Sequence, residues 1–201
     1  MKLSKATKII LAIFLISTGL FLSNNAYADD NLKYRVIRID NSPQGKARRF
    51  TYHVLVNPGT TKKDMEQISL KILEQAKKEN PFNALAVGFY DYPKLTGYGF
   101  RFGKVEFAPN ARWSDASTVS IGDYSRLQAN NNLIEPDWDN ALTKREADIF
   151  VRHNRLLNSL LKKANTRAEI EKAENQAIQS IIKKYKITQE ELDNIYSRYN
   201  K

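Results

Sequence analysis

The chain is predicted to fold as an α+β protein: a mainly antiparallel sheet of about four strands with one packed helix, in the order β-β-α-β-β, followed by a C-terminal appendage of two to three helices. Three observations predict it. The first half holds short runs rich in β-branched and aromatic residues, separated by Pro, Gly and Asn. A single long stretch between the second and third runs is apolar at helical spacing. The last third repeats the pattern Thr-x-x-Glu three times, each ahead of an amphipathic stripe.

The first two strands are "KYRVIRID" and "RRFTYHVLV", with Pro43 and Gly45 in the turn between them. In the second, Phe50, Tyr52, Val54 and Val56 alternate onto one face, and Arg49, Thr51, His53 and Leu55 share the other. Thr61 and Asp64 form a capping-box-like start to a helix over 62–79, with Met65, Ile68, Ile72, Leu73 and Ala76 on one stripe; Asn80 and Pro81 end it. "NALAVGFYD" is apolar on both faces, as a central strand would be, with the small Ala84, Ala86 and Gly88 expected to let a helix approach closely. "YGFRFGKVEFAP" is expected to be the fourth strand, bulged at Gly103 where its alternation changes phase. "NNNLIEPDWDN" (130–140) is expected to be a polar connector.

Beyond it, Thr143/Glu146, Thr166/Glu169 and Thr188/Glu191 mark three helix starts, because Thr accepts an orphan N–H while Glu reaches back to the cap. The expected organisation is therefore a signal peptide over 1–28, an α+β domain over 29–140 and a basic helical appendage over 141–201.

The N-terminus indicates location. Lys2, Lys5 and Lys8 precede an uncharged apolar run from Ile9 to Leu22, which is followed by polar residues ending Ala26-Tyr27-Ala28. That three-part layout is a secretory signal peptide, with cleavage expected after Ala28. The apolar run is shorter than the roughly 20 residues a spanning helix needs, so no transmembrane span is expected after cleavage. An extracellular or envelope-associated protein is expected. The absence of cysteine excludes a lipidated cysteine, disulfides, thiolate metal sites and cysteine nucleophiles.

Charge is unevenly divided. Residues 29–140 hold 16 basic and 14 acidic side chains, while 141–201 hold 13 basic and 8 acidic. Outside the cytoplasm the polyanions on offer are lipid headgroups and wall polymers rather than nucleic acid. The expected partner is a cell-envelope polyanion or a protein, with self-association through the C-terminal helices as a further route.

No cofactor motif occurs: there is no Walker loop, no G-x-S-x-G elbow and no H-E-x-x-H. His53 and His153 have no partner at metal-ligand spacing, so no metal site is expected. The candidate catalytic groups are Asp91, Asp115 and Asp123, with His53, since two acids across a cleft can hydrolyse a glycosidic bond. Asp115 and Asp123 are equally well placed for Asx-turns. The stretch "APNARWSDASTVSIGDYS" offers Arg112, Trp113 and Tyr124 as binding residues, the residue types that dominate binding hot spots.

Residues 34–126 carry a "Y-x-V-L-V" strand, "N-A-L-x-V-x-F-Y-D", and "A-P-N-x-x-W" followed by "G-D-Y-S". In these the chain resembles a small bacterial domain of unknown function found in secreted or lipid-anchored proteins of Gram-positive bacteria and their phages. The resemblance implies no catalytic residue. The expected function is an exported, non-catalytic binding protein of the cell envelope. The alternatives are a small envelope hydrolase using paired carboxylates, or a phage- or plasmid-borne exclusion or immunity factor.

Overall fold

The computed structural model describes residues 33–199. The expected signal segment, 1–28, lies outside them. The fold is α+β, with a five-stranded sheet in the order β1 (Tyr34–Asn41), β2 (Arg49–Val56), β3 (Ala84–Tyr90), β4 (Gly103–Pro109) and β5 (Leu127–Leu133). Every neighbouring pair is antiparallel except β2 and β3. That parallel pair follows from the helix α1 (Lys62–Glu79), because a parallel neighbour requires a crossover connection.

α1 starts as its sequence dictates. The Thr61 hydroxyl accepts from the Asp64 N–H, and the Asp64 carboxylate accepts from the Thr61 N–H at 2.9 Å. Its stripe of Met65, Ile68, Ile72, Leu73 and Ala76 packs against Tyr52, Val54 and Val56 of β2, Leu85, Val87 and Phe89 of β3, and Val105 and Phe107 of β4. Fully burying one side chain of this size contributes about 1.5–3 kcal/mol, so this layer supplies much of the fold's stability. The helix therefore lies on the face of β3 that carries large residues. The small Ala84, Ala86 and Gly88 face the other way, contrary to the expectation that they receive the helix. Their close neighbours are instead Phe100, whose ring occupies the space where a Gly88 Cβ would sit, and the 3-10 segment Trp113–Thr118.

Two further expectations are corrected. The fourth strand begins only at Gly103, with no bulge inside a longer strand. Gly97, Gly99 and Gly103 all take positive φ, and the segment between them folds back so that Phe100 covers one face while Phe102 joins the α1 side. The polar run after Asn130 is no mere connector: Asn130 to Leu133 belong to β5, which pairs with β4 from Pro109↔Leu127 to Gly103↔Leu133. An Asn-rich strand has little intrinsic β preference, and it forms because β4 offers an open edge.

The C-terminal third forms α2 (Lys144–Leu161), α3 (Arg167–Tyr185) and α4 (Gln189–Tyr199). All three Thr-x-x-Glu boxes are made, including Thr188 with Glu191, whose carboxylate accepts the Thr188 N–H at 2.6 Å. Ile149, Phe150, Val151, Ile181, Leu192 and Ile195 form a second apolar cluster with Tyr90 at the end of β3 and Leu95 just after it. Polar contacts tie the same surfaces: Tyr92 and Lys94 both donate to Asp148, and the Tyr199 hydroxyl donates to the Tyr98 carbonyl at 2.7 Å. The helices are thus built on the segment from Tyr90 to Phe102. No helix among the described residues is long and apolar enough to cross a membrane.

Candidate functional site

Each of the three acids from which a catalytic pair was expected has its own local setting. Asp115 lies in the 3-10 segment, accepting from the Asn110 side chain at 3.2 Å and from the Ser114 hydroxyl at 3.3 Å. Asp123 accepts the Ser125 N–H at 3.0 Å in an Asx-turn, and these Ser125 hydrogen bonds hold its carboxyl below the usual carboxylate range. Asp91 follows the C-terminal end of β3, buried beside Arg101 with Nε 4.0 Å from its carboxylate. Burial pushes the Asp91 carboxyl up, and the Arg101 charge opposes that shift. Because β3 and β4 are antiparallel, Asp91 and Asp115 follow opposite ends of the sheet. A seven-residue strand separates them by about 20 Å, beyond the reach of paired carboxylates.

The loop carrying Arg112, Trp113 and Tyr124 straddles the end of the sheet. It opens with a tight turn in which Asn110 and Ala111 both take positive φ and the Arg112 N–H donates to the Pro109 carbonyl at 3.0 Å. An alanine in that region costs roughly 1–2 kcal/mol, and the Asn110 N–H to Arg126 carbonyl bond at 2.9 Å helps hold it. Trp113 packs on Ala47, Ala84, Ala108 and Ala116, with the Arg49 guanidinium 5.8 Å from its ring centre. Tyr124 goes to the α1 face, where its ring lies 5.0 Å from Phe82 and Lys77 approaches within 5.5 Å. Arg112 is exposed. Trp113 and Tyr124 therefore serve different faces and do not form one contact surface. Asn83, buried at the head of the "N-A-L-x-V-x-F-Y-D" stretch, fixes the loop by donating to the Val119 carbonyl at 2.9 Å.

The chemistry that does converge lies on the face opposite α1. Strand register arranges it in rows. One row runs Asp40, Thr51, Ala86, Glu106, Asn130; the next runs Arg38, His53, Gly88, Lys104, Asn132. Thr51, Lys104 and Glu106 are half-buried in these rows, while His53, Ala86 and Gly88 are buried. Small side chains make the floor, Phe100 stands over Gly88 on one side and Trp113 over Ala84 on the other. Four residues of β3 separate Gly88 from Ala84, about 13 Å. Two ion pairs flank the floor: Arg38 with Asp40 at 2.9 Å, and Lys104 with Glu106 at 2.6 Å.

At the centre of the Arg38 side is a hydrogen-bonded chain. His53 Nε2 lies 2.9 Å from the Asp40 carboxylate, and Nδ1 lies 3.0 Å from the Tyr90 hydroxyl. Nε2 also lies 3.0 Å from the Arg38 guanidinium; in the tautomer that donates from Nε2 to Asp40, Nδ1 accepts from Tyr90. Burial lowers the His53 pKa, a shift that the Asp40 hydrogen bond opposes and the Arg38 charge reinforces. Burial likewise raises the Tyr90 hydroxyl far from any value at which it would ionise near neutrality. The Tyr90 oxygen is enclosed, with the residue 1% exposed. Asp40, His53 and Tyr90 thus share the residue order of an acid-base relay but end on a hydroxyl sealed from solvent. The chain fastens β1 to the sheet and presents Arg38 and Asp40 outward.

His153 is elsewhere, buried on α2 against Tyr196, which also accepts from the Asn154 side chain at 2.8 Å. Among the described residues no group of three or more His, Asp or Glu is arranged to hold a metal ion. Sequence reading placed His53 and Thr51 on the polar side of β2 but missed Arg38, Asp40, Phe100, Lys104 and Glu106. The i, i+2 spacing of each ion pair was the available signal. No family model matches the chain, and the searches of characterised proteins and of solved structures gave no match either.

Proposed function

We infer that the protein is an exported binding protein of the bacterial cell envelope, and that the polar face of its sheet receives the ligand. One observation carries this reading: two rows of the face present paired charges around Thr51 and Ala86, between the half-buried aromatics Trp113 and Phe100. Aromatic rings beside a polar floor suit an extended polar polymer, where apolar sugar or backbone faces stack and hydroxyl or anionic groups meet fixed charges. The face also carries Arg35, Arg38, Arg49 and Lys104 against Asp40 and Glu106, a balance that favours an anionic ligand. The signal-peptide layout of residues 1–28 supports the same location. Asp115 and Asp123 are occupied by local partners and Asp91 lies at the opposite end of the sheet beside Arg101, so their arrangement does not favour hydrolysis.

The test is retention of residues 29–201 on isolated cell envelopes. Thr51→Arg fills the floor without touching the α1 core, and Trp113→Ala removes one wall. Both should weaken retention at least tenfold while the thermal transition stays cooperative. Equal retention by both variants would remove the sheet face from consideration.

A further inference from the structure

The tail's positive charge is concentrated in one place. Residues 152–172, the end of α2, the turn and the start of α3, hold six basic and two acidic side chains, net +4 of the +5 carried by 141–201. Arg152, Arg155, Lys162, Lys163, Arg167 and Lys172 are all exposed. One acid, Glu169, is held by the Thr166 cap, and the other, Glu171, pairs with Arg167 at 3.2 Å.

The same stretch is apolar on its inner side, yet poorly covered. At the base of α2, Ala147, Ile149, Phe150 and Val151 are buried. Toward the tip, Leu156, Leu157, Leu160 and Leu161 are all only half-buried, and Ile170 on α3 is 40% exposed. The cause is geometric. The side chains of α4 reach α2 from Glu146, through Arg198, to His153 and Asn154, through Tyr196. Past that point α2 and α3 continue as a two-helix arm for about two turns, and two helices alone cannot enclose four leucines.

We propose that the tip of the α2–α3 hairpin is a membrane-surface docking site for anionic phospholipid, with Leu160, Leu161 and Ile170 entering the headgroup–acyl boundary and Lys162, Lys163 and Arg167 meeting the phosphates. Charge complementarity selects this occupant: a ring of cations around an apolar tip matches an anionic interface. A second copy of the chain would bring the same +4 tip against itself. The proposal deepens the envelope reading by naming one surface the protein meets there, and it uses residues remote from the sheet face.

The experiment is co-flotation of residues 29–201 with vesicles of phosphatidylglycerol and phosphatidylcholine, against vesicles of phosphatidylcholine alone, at low and high salt. Binding is expected only with phosphatidylglycerol and is reduced by salt. The triple variant Lys162→Glu, Lys163→Glu, Arg167→Glu should bind roughly a hundredfold more weakly or worse. Ile170→Ser, at an exposed position where folding is not at stake, should weaken binding several-fold. No flotation with anionic vesicles, or undiminished flotation of the triple variant, overturns the proposal. So does a concentration-dependent dimer abolished by Ile170→Ser, which would make a second copy the occupant. Flotation with full envelope retention by Thr51→Arg would keep the lipid site and sink the sheet-face reading, while loss of retention without flotation would do the reverse.

Discussion

His53 Nε2 lies 2.9 Å from the carboxylate of Asp40 on the neighbouring edge strand, so the one histidine of the sheet is tied to that strand. Its pKa is lowered from the ordinary 6.5, first by burial. His153 is lowered by burial as well. Above pH 6.5 both rings are neutral in the folded and unfolded chains, and their contribution to stability is complete. As pH falls through that value the unfolded chain takes up protons that the folded chain refuses, so stability falls. Asp91 acts in the opposite sense: its raised pKa lets the folded chain take up a proton earlier on acidification. That contribution persists when both histidines are replaced, so the double variant isolates the histidine contribution. The melting temperature should drop between pH 7.5 and 5.5, and His53→Gln with His153→Gln should flatten that dependence. An unchanged slope in the double variant would count against this account.

Gly88 is required by contact rather than by backbone conformation. A Cβ at this position would overlap the Phe100 ring. Gly88→Ala should therefore destabilise by about 1–3 kcal/mol. Combining it with Phe100→Ala should cost less than the sum of the two single changes, because the second removes the atoms that the first strikes. Denaturant midpoints of the four proteins in this cycle provide the measurement, and strict additivity would mean that Phe100 does not lie over Gly88.

Trp113 and Tyr124 sit close in sequence but should separate by experiment. Trp113→Ala removes a ring from the polar face, next to Arg49, and should reduce envelope retention with a modest fall in stability. Tyr124→Ala opens the α1 side against Phe82 and should lower stability while leaving retention unchanged. The two stability changes should add within about 0.5 kcal/mol, since the residues share no partner. Loss of retention by Tyr124→Ala in a folded protein would return the loop to a single recognition surface.

The capping threonines are chemically alike and differ in setting. Thr143→Ala removes a cap at the base of α2, where Glu146 also meets Arg198 of α4. It should cost about 1 kcal/mol globally, roughly 2–4 °C in melting temperature. Thr166→Ala removes the same bond at the exposed hairpin tip. There the loss should appear as faster hydrogen exchange in the first turn of α3, with little change in the global transition.

These cases also separate what was legible in the sequence from what was not. The helix over 62–79, the three later helix starts, and the alternation of Tyr52, Val54 and Val56 against Thr51 and His53 were readable, because caps and periodicity act between residues no more than a few positions apart. Asp123 was correctly seen as able to hold an Asx-turn, which is again local chemistry, whereas Asp115 accepts from the Asn110 and Ser114 side chains instead.

Only the tertiary structure decided the rest. β5 exists because β4 leaves an edge to pair with, and its Asn-rich sequence carries no signal of that. Whether the small residues of β3 would meet a helix depended on where Phe100 and the Trp113 segment came to lie, since a central strand is apolar on both sides in either case. The chain Asp40, His53, Tyr90 joins positions 13 and 37 residues apart, and the ion pairs that frame the polar face become one site only once the strand register is set. Sequence determined the elements through short-range hydrogen bonding and burial preference; the site arose from long-range register, which no local pattern encodes.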